Sequence, residues 1–261
     1  MGNPLIRRAV AVAVILSAGL FFARTSDAGA KSLTVLFDEG HGQHFVVAGH
    51  GPLDLSGLAG RFEAQGFRVA TSAQQIDDTL LSNADALVIS GAFAPFAQSE
   101  NEAVTRFLTR GGRLCVMLHI PQPLAPLLEM LGVLTSNGVI RERENVIDVD
   151  PLNFRVTKLE PHGLTKNLTS FDVFGAWALL GGNDKTTVVA RTGATAWVDL
   201  NHDGELQERD AVQSFAVVVA GRFGAGSFVV FGDDALFQNQ FFKGNNEVFG
   251  GNLAEWLKPA E

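Results

Sequence analysis

The sequence predicts an α/β protein built on a doubly wound, mostly parallel sheet with a strand-rich C-terminal extension. Three observations carry that expectation. From Asp85 to His119 the chain reads DALVISGAFAPF, SENEAVTRFLTR and GGRLCVMLH: apolar strand, amphipathic helix, double glycine and second apolar strand in succession. Ser32 to Asp38 (SLTVLFD) is an unbroken apolar run ending in an acid, as in a central parallel strand whose C-terminal end opens on a crevice. Beyond about residue 135 the pattern changes to closely spaced strands and one closing helix.

After the first strand, Gly40 and Gly42 make a glycine-rich loop (DEGHGQHF), and a helix runs from about Leu53 to Gln65, stopped by Gly66. The short strand FRVA and a polar stretch with Asp77 and Asp78 lead to the strand Asp85–Ser90. In the next helix Ser99 is placed to cap, Glu102 holds the capping-box position, and Val104, Phe107 and Leu108 form the apolar face. Gly111 and Gly112 end it, the strand Arg113–Leu118 follows, and PQPLAPLLEMLGV opens a helix over about Leu124 to Leu131 with proline at its start. Strand, helix and strand with short loops make parallel crossovers the economical topology. The strands FRVTKL, FDVFGAWAL, TTVVART, TAWVDL, QSFAVVVAGRF and GSFVVFGDD follow, with Arg222–Gly226 (RFGAG) as a tight hairpin turn. A final helix from about Asn246 to Leu257, capped near Asn245, turns Val248, Phe249, Leu253, Trp256 and Leu257 toward the core.

With 46% hydrophobic and 18% charged residues, the 261-residue chain fits one well-cored globular domain. Arg7 and Arg8, the apolar run Ala9–Ala23 and the small residues Ala28 and Ala30 have the layout of a secretory signal peptide, and the run is short for a membrane span. The expected division is a signal peptide over residues 1–30 and a single domain over 31–261, whose α/β half is 31–134 and whose strand-rich half is 135–261. A periplasmic or secreted protein cut after Ala30 is expected, with an uncut, inner-membrane-anchored form facing the periplasm as the alternative. Loss of residues 1–30 removes three arginines and one aspartate, moving the formal charge from −8 to −10. Such an acidic protein is poorly matched to nucleic acid or anionic lipid. The single cysteine, Cys115, lies in a strand expected to be buried, which rules out an intramolecular disulfide and argues against a reactive thiol.

The segments LFDEGHGQ, DALVISGAF, SENEAVTRFLTRGGRL, PHGLTKNL and GDDALF followed by GNNEVFGGNLAEWL resemble the class I glutamine amidotransferase-like superfamily, a flavodoxin-like α/β sandwich. They are similar to its non-enzymatic branch, which includes the auxiliary component of gliding-motility ABC transporters, the N-terminal domain of an intraflagellar transport subunit and exported bacterial domains of unknown function. The resemblance implies a non-catalytic binding or assembly module of the bacterial envelope, transporter-associated, with an envelope protein or a small polar ligand as partner. The chain departs from the enzymatic branch in three places. An amidotransferase carries its cysteine on the turn that ends the strand after the helix, whereas Cys115 is four residues too early and His119 and Ile120 occupy that turn. The glycine-rich oxyanion loop is reduced to Gly91-Ala92-Phe93, and the His-x-Glu near the last strands is missing.

Two groups of residues could carry chemistry. Asp199, Asn201, Asp203, Glu205 and Asp210, with Gly204 at the turn, match the oxygen-donor spacing of an EF-hand or dockerin-like calcium loop, although Asp210 is shorter than the usual bidentate glutamate. The alternative is an acid-rich hairpin loop whose side chains serve its own turns; no other cofactor is expected. The second group is Asp38, Glu39, His41 and His44 after the first strand, His119 after a later one, and Asp233 and Asp234 after the last. These strand ends share one sheet edge, where they could bind a polar ligand, hold a metal or activate water for a hydrolase. The plainer reading has the acids satisfying loop amides and His119 buried. Phe93, Phe96, Phe237, Phe241 and Phe242 lie beside that edge, as a docking surface or, more simply, as core.

Overall fold

Apolar residues alternate between two faces along each central strand, and helices cover both faces. In the computed structural model, which describes residues 32–181, 185–201 and 203–259, β1 (Leu33–Asp38), β2 (Phe67–Ser72), β3 (Ala86–Ser90) and β4 (Arg113–Met117) are parallel neighbours in the order β2-β1-β3-β4. The helices α1 (Ser56–Ala64), α2 (Asp78–Leu81) and α3 (Gln98–Thr109) connect them, and α4 (Ala125–Met130) follows β4. Val35, Phe37, Val88, Cys115 and Met117 pack on one face with Leu58 and Phe62 of α1. Leu36, Leu87, Ile89, Leu114 and Val116 pack on the other with Val104 and Phe107 of α3 and Leu127 of α4. A strand buried on both sides reads as a continuous apolar run, which is why these strands are so plain in the sequence.

The second half adds strands at the β4 side. They are β5 (Val133–Arg141), β6 (Val146–Ile147), β7 (Asp150–Val156), β8 (Lys158–Leu159), β9 (Phe171–Phe174), β10 (Trp177–Gly181), β11 (Thr186–Arg191), β12 (Trp197–Val198), β13 (Ala211–Val212), β14 (Ala216–Phe223) and β15 (Gly226–Phe231). β15 returns to lie parallel to β4, and β14 pairs antiparallel with β15 through a hairpin whose Gly224 has φ +59. Beyond β14 the sheet continues antiparallel through β10, β5, β12 and β13, with β11 also on β14; β6, β7 and β9 form a separate three-stranded sheet. The closing helix α5 (Asn245–Trp256) packs Phe249 and Leu253 onto the α1 face. The fold is α/β, with the parallel core β2-β1-β3-β4-β15 and antiparallel additions.

Three local expectations differ from the structure. The helix α3 begins at Gln98, so Ser99 lies inside it and Glu100, not Glu102, reaches back to accept the N–H of Ala97 at 2.8 Å. The run FDVFGAWAL is two strands, broken where Gly175 takes φ +102. Val248 does not join the α5 core stripe and is 42% exposed. The expected signal segment, residues 1–30, lies outside the described residues.

Candidate functional site

The acids and histidines expected to share one crevice form two separate clusters. In the first, β1 ends in Asp38 and the chain turns back so that His41 Nδ1 lies 2.8 Å from Asp38 Oδ2. His41 Nε2 lies 3.1 Å from Glu100 Oε1, at the N-terminus of α3. The three side chains are 6%, 1% and 4% exposed, and the imidazole stacks on Phe96 with ring centroids 3.8 Å apart. Both ring nitrogens face carboxylates, so both act as donors in the protonated ring. Burial opposes that charge, but the hydrogen bonds and charges of Asp38 and then Glu100 outweigh it, and the His41 pKa is raised. Burial likewise works against ionised Glu100, yet amide donors from Ala97 and Ile76 and the His41 ring hold its pKa below the usual value. This cluster ties β1, the loop after β2 and α3 together, and both oxygens of Glu100 are bonded within the protein.

The second cluster is open. His119 follows β4 at the turn where an amidotransferase would carry its nucleophile, and its backbone carbonyl accepts the indole N–H of Trp177 at 2.9 Å. Its Nδ1 lies 3.1 Å from Asp234 Oδ1, just past β15; the imidazole is 41% exposed and the Asp234 side chain 2%. The Asp234 hydrogen bond is the main force raising the His119 pKa. Asp234 Oδ2 is buried with no hydrogen-bond partner. It packs over Gly91, where a Cβ would come within 2.7 Å of it and where φ is +59, so only glycine fits without strain. Asp233 accepts the N–H groups of Phe174 at 2.7 Å and Ala235 at 2.9 Å. Burial and the neighbouring Asp234 charge nevertheless push its carboxyl up to about 7. His119, Asp233 and Asp234 line a cavity of about 460 Å³ whose walls include Phe45, Phe174 and Phe241 and whose polar groups include Asn153, Gln238 and Gln240.

The remaining expected site residues join neither cluster. Glu39 Oε1 accepts the N–H of Val47 at 3.0 Å, a loop-closing role. His44 is exposed and stands edge-on to Phe93 at 4.8 Å. Phe96 and Phe237 are core residues, and Phe174 and Phe241 stack at 3.7 Å as a crevice wall. Cys115 is fully buried in mid-β4, and burial pushes its thiol well above the usual range. Between β12 and β13, Asp199 accepts the N–H groups of Asp203 and Gly204, Asp203 that of Glu205, and Asp210 those of Leu200 and Gln207. Among the described residues no group of three or more His, Cys, Asp or Glu is placed to hold a metal ion.

Sequence reasoning missed Glu100, because the capping box was placed on Ser99 and Glu102. It also missed Asn153, Gln238 and Gln240, which carry no motif. Glu100 could have been found as the acid three residues after Ala97, just beyond the helix-excluding Phe93-Ala94-Pro95 turn.

A family model described as a domain of unknown function (DUF4350) matches residues 51–253. No curated protein matches the chain. Among solved structures the chain is similar to the mmIFT52 N-terminal domain, with a TM-score of 0.71, 16% identity and coverage of 87% of this chain and 98% of that one. It is similar to the cytoplasmic protein STM1381 from Salmonella typhimurium LT2, with a TM-score of 0.58, 13% identity and coverage of 87% and 100%. A ThuA-like protein from Bacteroides uniformis matches with a TM-score of 0.53, 13% identity and coverage of 88% and 93%. At these identities the likeness shows the fold alone, that of the class I glutamine amidotransferase-like proteins.

Proposed function

The chain belongs to the DUF4350 family, and from that premise we propose that it is a non-catalytic binding module of the bacterial envelope whose crevice takes a small polar ligand. The observation that carries this reading is the buried, unpartnered Oδ2 of Asp234 beside the half-exposed His119. A buried acceptor without a donor costs about 1–3 kcal/mol, and a ligand hydroxyl or ammonium would relieve that cost. Phenylalanine walls with carboxamides beside them suit a polyhydroxylated or amine-bearing molecule. The Arg7-Arg8, apolar-run and Ala28/Ala30 pattern supports the envelope location.

The test is calorimetric titration with a panel of monosaccharides and a panel of primary amines. At least one class binds saturably to the native chain and loses about tenfold or more in affinity in Asp234→Asn. Failure of both panels, or equal binding to the variant, overturns the reading.

A hydrolase is the second reading, favoured by one feature: Asp234 holds Nδ1 of His119, which leaves Nε2 as the basic nitrogen. Turnover of a p-nitrophenyl ester that disappears in His119→Gln would establish it, and turnover unchanged by that substitution would remove it. A stabilising calcium ion at the Asp199–Asp210 loop is a separate proposal, prompted by the buried Asn201 Oδ1 that has no partner; binding would require the loop carboxylates to turn from the amides they now accept. Calcium would then raise the melting temperature of the native chain but not of Asp199→Asn; no shift in the native chain excludes the ion.

A further inference from the structure

A second cavity, of about 590 Å³, opens on the opposite edge of the same sheet, at the N-terminal ends of β4 and β15. Arg222 and Ser227 line it, and strand register sets Arg113 beside them. Arg222 of β14 pairs with Ser227 of β15, and Ser227 pairs with Arg113 of β4, which sets the three side chains in one row on one face. Arg113 Nη1 donates to Ser227 Oγ at 2.8 Å, while its Nε is buried with no partner. Burial first, and then the charge of Arg222, lower the Arg113 pKa, so the two guanidinium groups are close enough to repel.

No carboxylate among the described residues relieves that repulsion. Among the described residues neither Arg113 nor Arg222 makes an ion pair, whereas Arg61, Arg106, Arg110 and Arg155 each hold an aspartate or glutamate. Among the described residues the cavity lining contains no Asp or Glu, in a chain of formal charge −8. The facing wall is part-apolar, formed by Trp256 and His162 with ring centroids 5.8 Å apart and planes 45° to each other. His162 Nδ1 accepts the N–H of Leu164, and burial lowers its pKa, so the neutral ring carries its proton on Nε2 as a donor.

We propose that this cavity binds a small planar molecule bearing a phosphate or carboxylate group, with the oxyanion between Arg222 and the Arg113–Ser227 pair and the ring against Trp256. An oxyanion there supplies the missing counter-charge and gives the guanidinium groups charge-assisted acceptors. The geometry is independent of the Asp234 crevice, since the two sites lie at opposite strand ends.

Calorimetry on the full chain with phenyl phosphate, benzoate and inorganic phosphate tests it. Phenyl phosphate or benzoate binds saturably at one site, about tenfold or more tighter than inorganic phosphate, and which of the two binds identifies the anion. Arg222→Gln weakens that binding by about tenfold or more, with the melting temperature of the free protein unchanged or raised, because Arg222 has no partner to lose and repels Arg113. Trp256→Leu brings the ring-bearing ligand down to the level of inorganic phosphate, and Asp234→Asn leaves it unaltered. Absence of binding by both ring-bearing anions, binding no tighter than that of inorganic phosphate, or equal binding to Arg222→Gln overturns the proposal.

Discussion

His41 and His119 stand at the same edge of one sheet, one after β1 and one after β4, and each is held by an aspartate through Nδ1. His41 is 6% exposed, with carboxylates on both ring nitrogens; His119 is 41% exposed, with one. The difference lies in what covers them. The N-terminus of α3 brings Glu100, and Phe96 lies flat on the His41 ring, so every polar atom of that cluster is used inside the protein. Beside His119 stand Phe45, edge-on, and Phe93, tilted, and Asp234 keeps one oxygen without a partner. The same pair of residue types is therefore a structural clamp where it is sealed and, where it is open, is left exposed to the crevice as the proposed binding group requires.

The largest expected effect breaks the sealed cluster. His41→Ala leaves Asp38 and Glu100 as uncompensated buried carboxylates and is expected to cost about 3–5 kcal/mol in urea unfolding. His119→Ala, at a half-exposed ring, is expected to cost about 1 kcal/mol or less. Equal costs would remove the distinction between clamp and binding group.

The pH dependence of stability sharpens the comparison. His41 is raised from 6.5, so its contribution is complete below about 6.5 and disappears as pH rises through its higher folded value. Glu100 is lowered from 4.5, so its contribution is complete above about 4.5 and disappears as pH falls through its lower folded value. The clamp is thus strongest between those two values. Asp233, raised from 3.8 to about 7, acts in the opposite sense for an acid: it binds a proton more tightly in the folded chain, and stability falls as pH rises between those values. Denaturation curves across this range should show a decline toward alkaline pH that is partly flattened in Asp233→Asn. An unchanged slope would mean that Asp233 is ionised throughout.

The smallest effect is local to the open pair. In Asp234→Asn the His119 pKa, followed by its imidazole proton resonance, falls toward the ordinary value, because the Asp234 hydrogen bond is the main force raising it. The His41 resonance should not move. A His119 pKa unaffected by the substitution would mean that Asp234 does not orient the ring.

Much of the fold was legible because a strand covered on both faces must be apolar throughout: SLTVLFD, DALVIS and RLCVM all became members of the parallel core. The placement of Asp38, His119, Asp233 and Asp234 at one edge follows from the same reading, since parallel strands share the direction of their ends. Glu100 was not legible as a site residue, because its partner His41 is 59 positions away and only α3 docking joins them. Nor was the basic row on the opposite edge, where Arg113 and Ser227 are 114 positions apart and Arg222 joins them through the hairpin register. By itself the sequence determined the periodicity of burial and hence the parallel core, because side-chain alternation is a local property of the strand. The tertiary structure alone decided which histidine is sealed, which carboxylate oxygen is left without a donor and which arginines hold no ion pair among the described residues, because desolvation and charge pairing depend on distances between segments far apart in the chain.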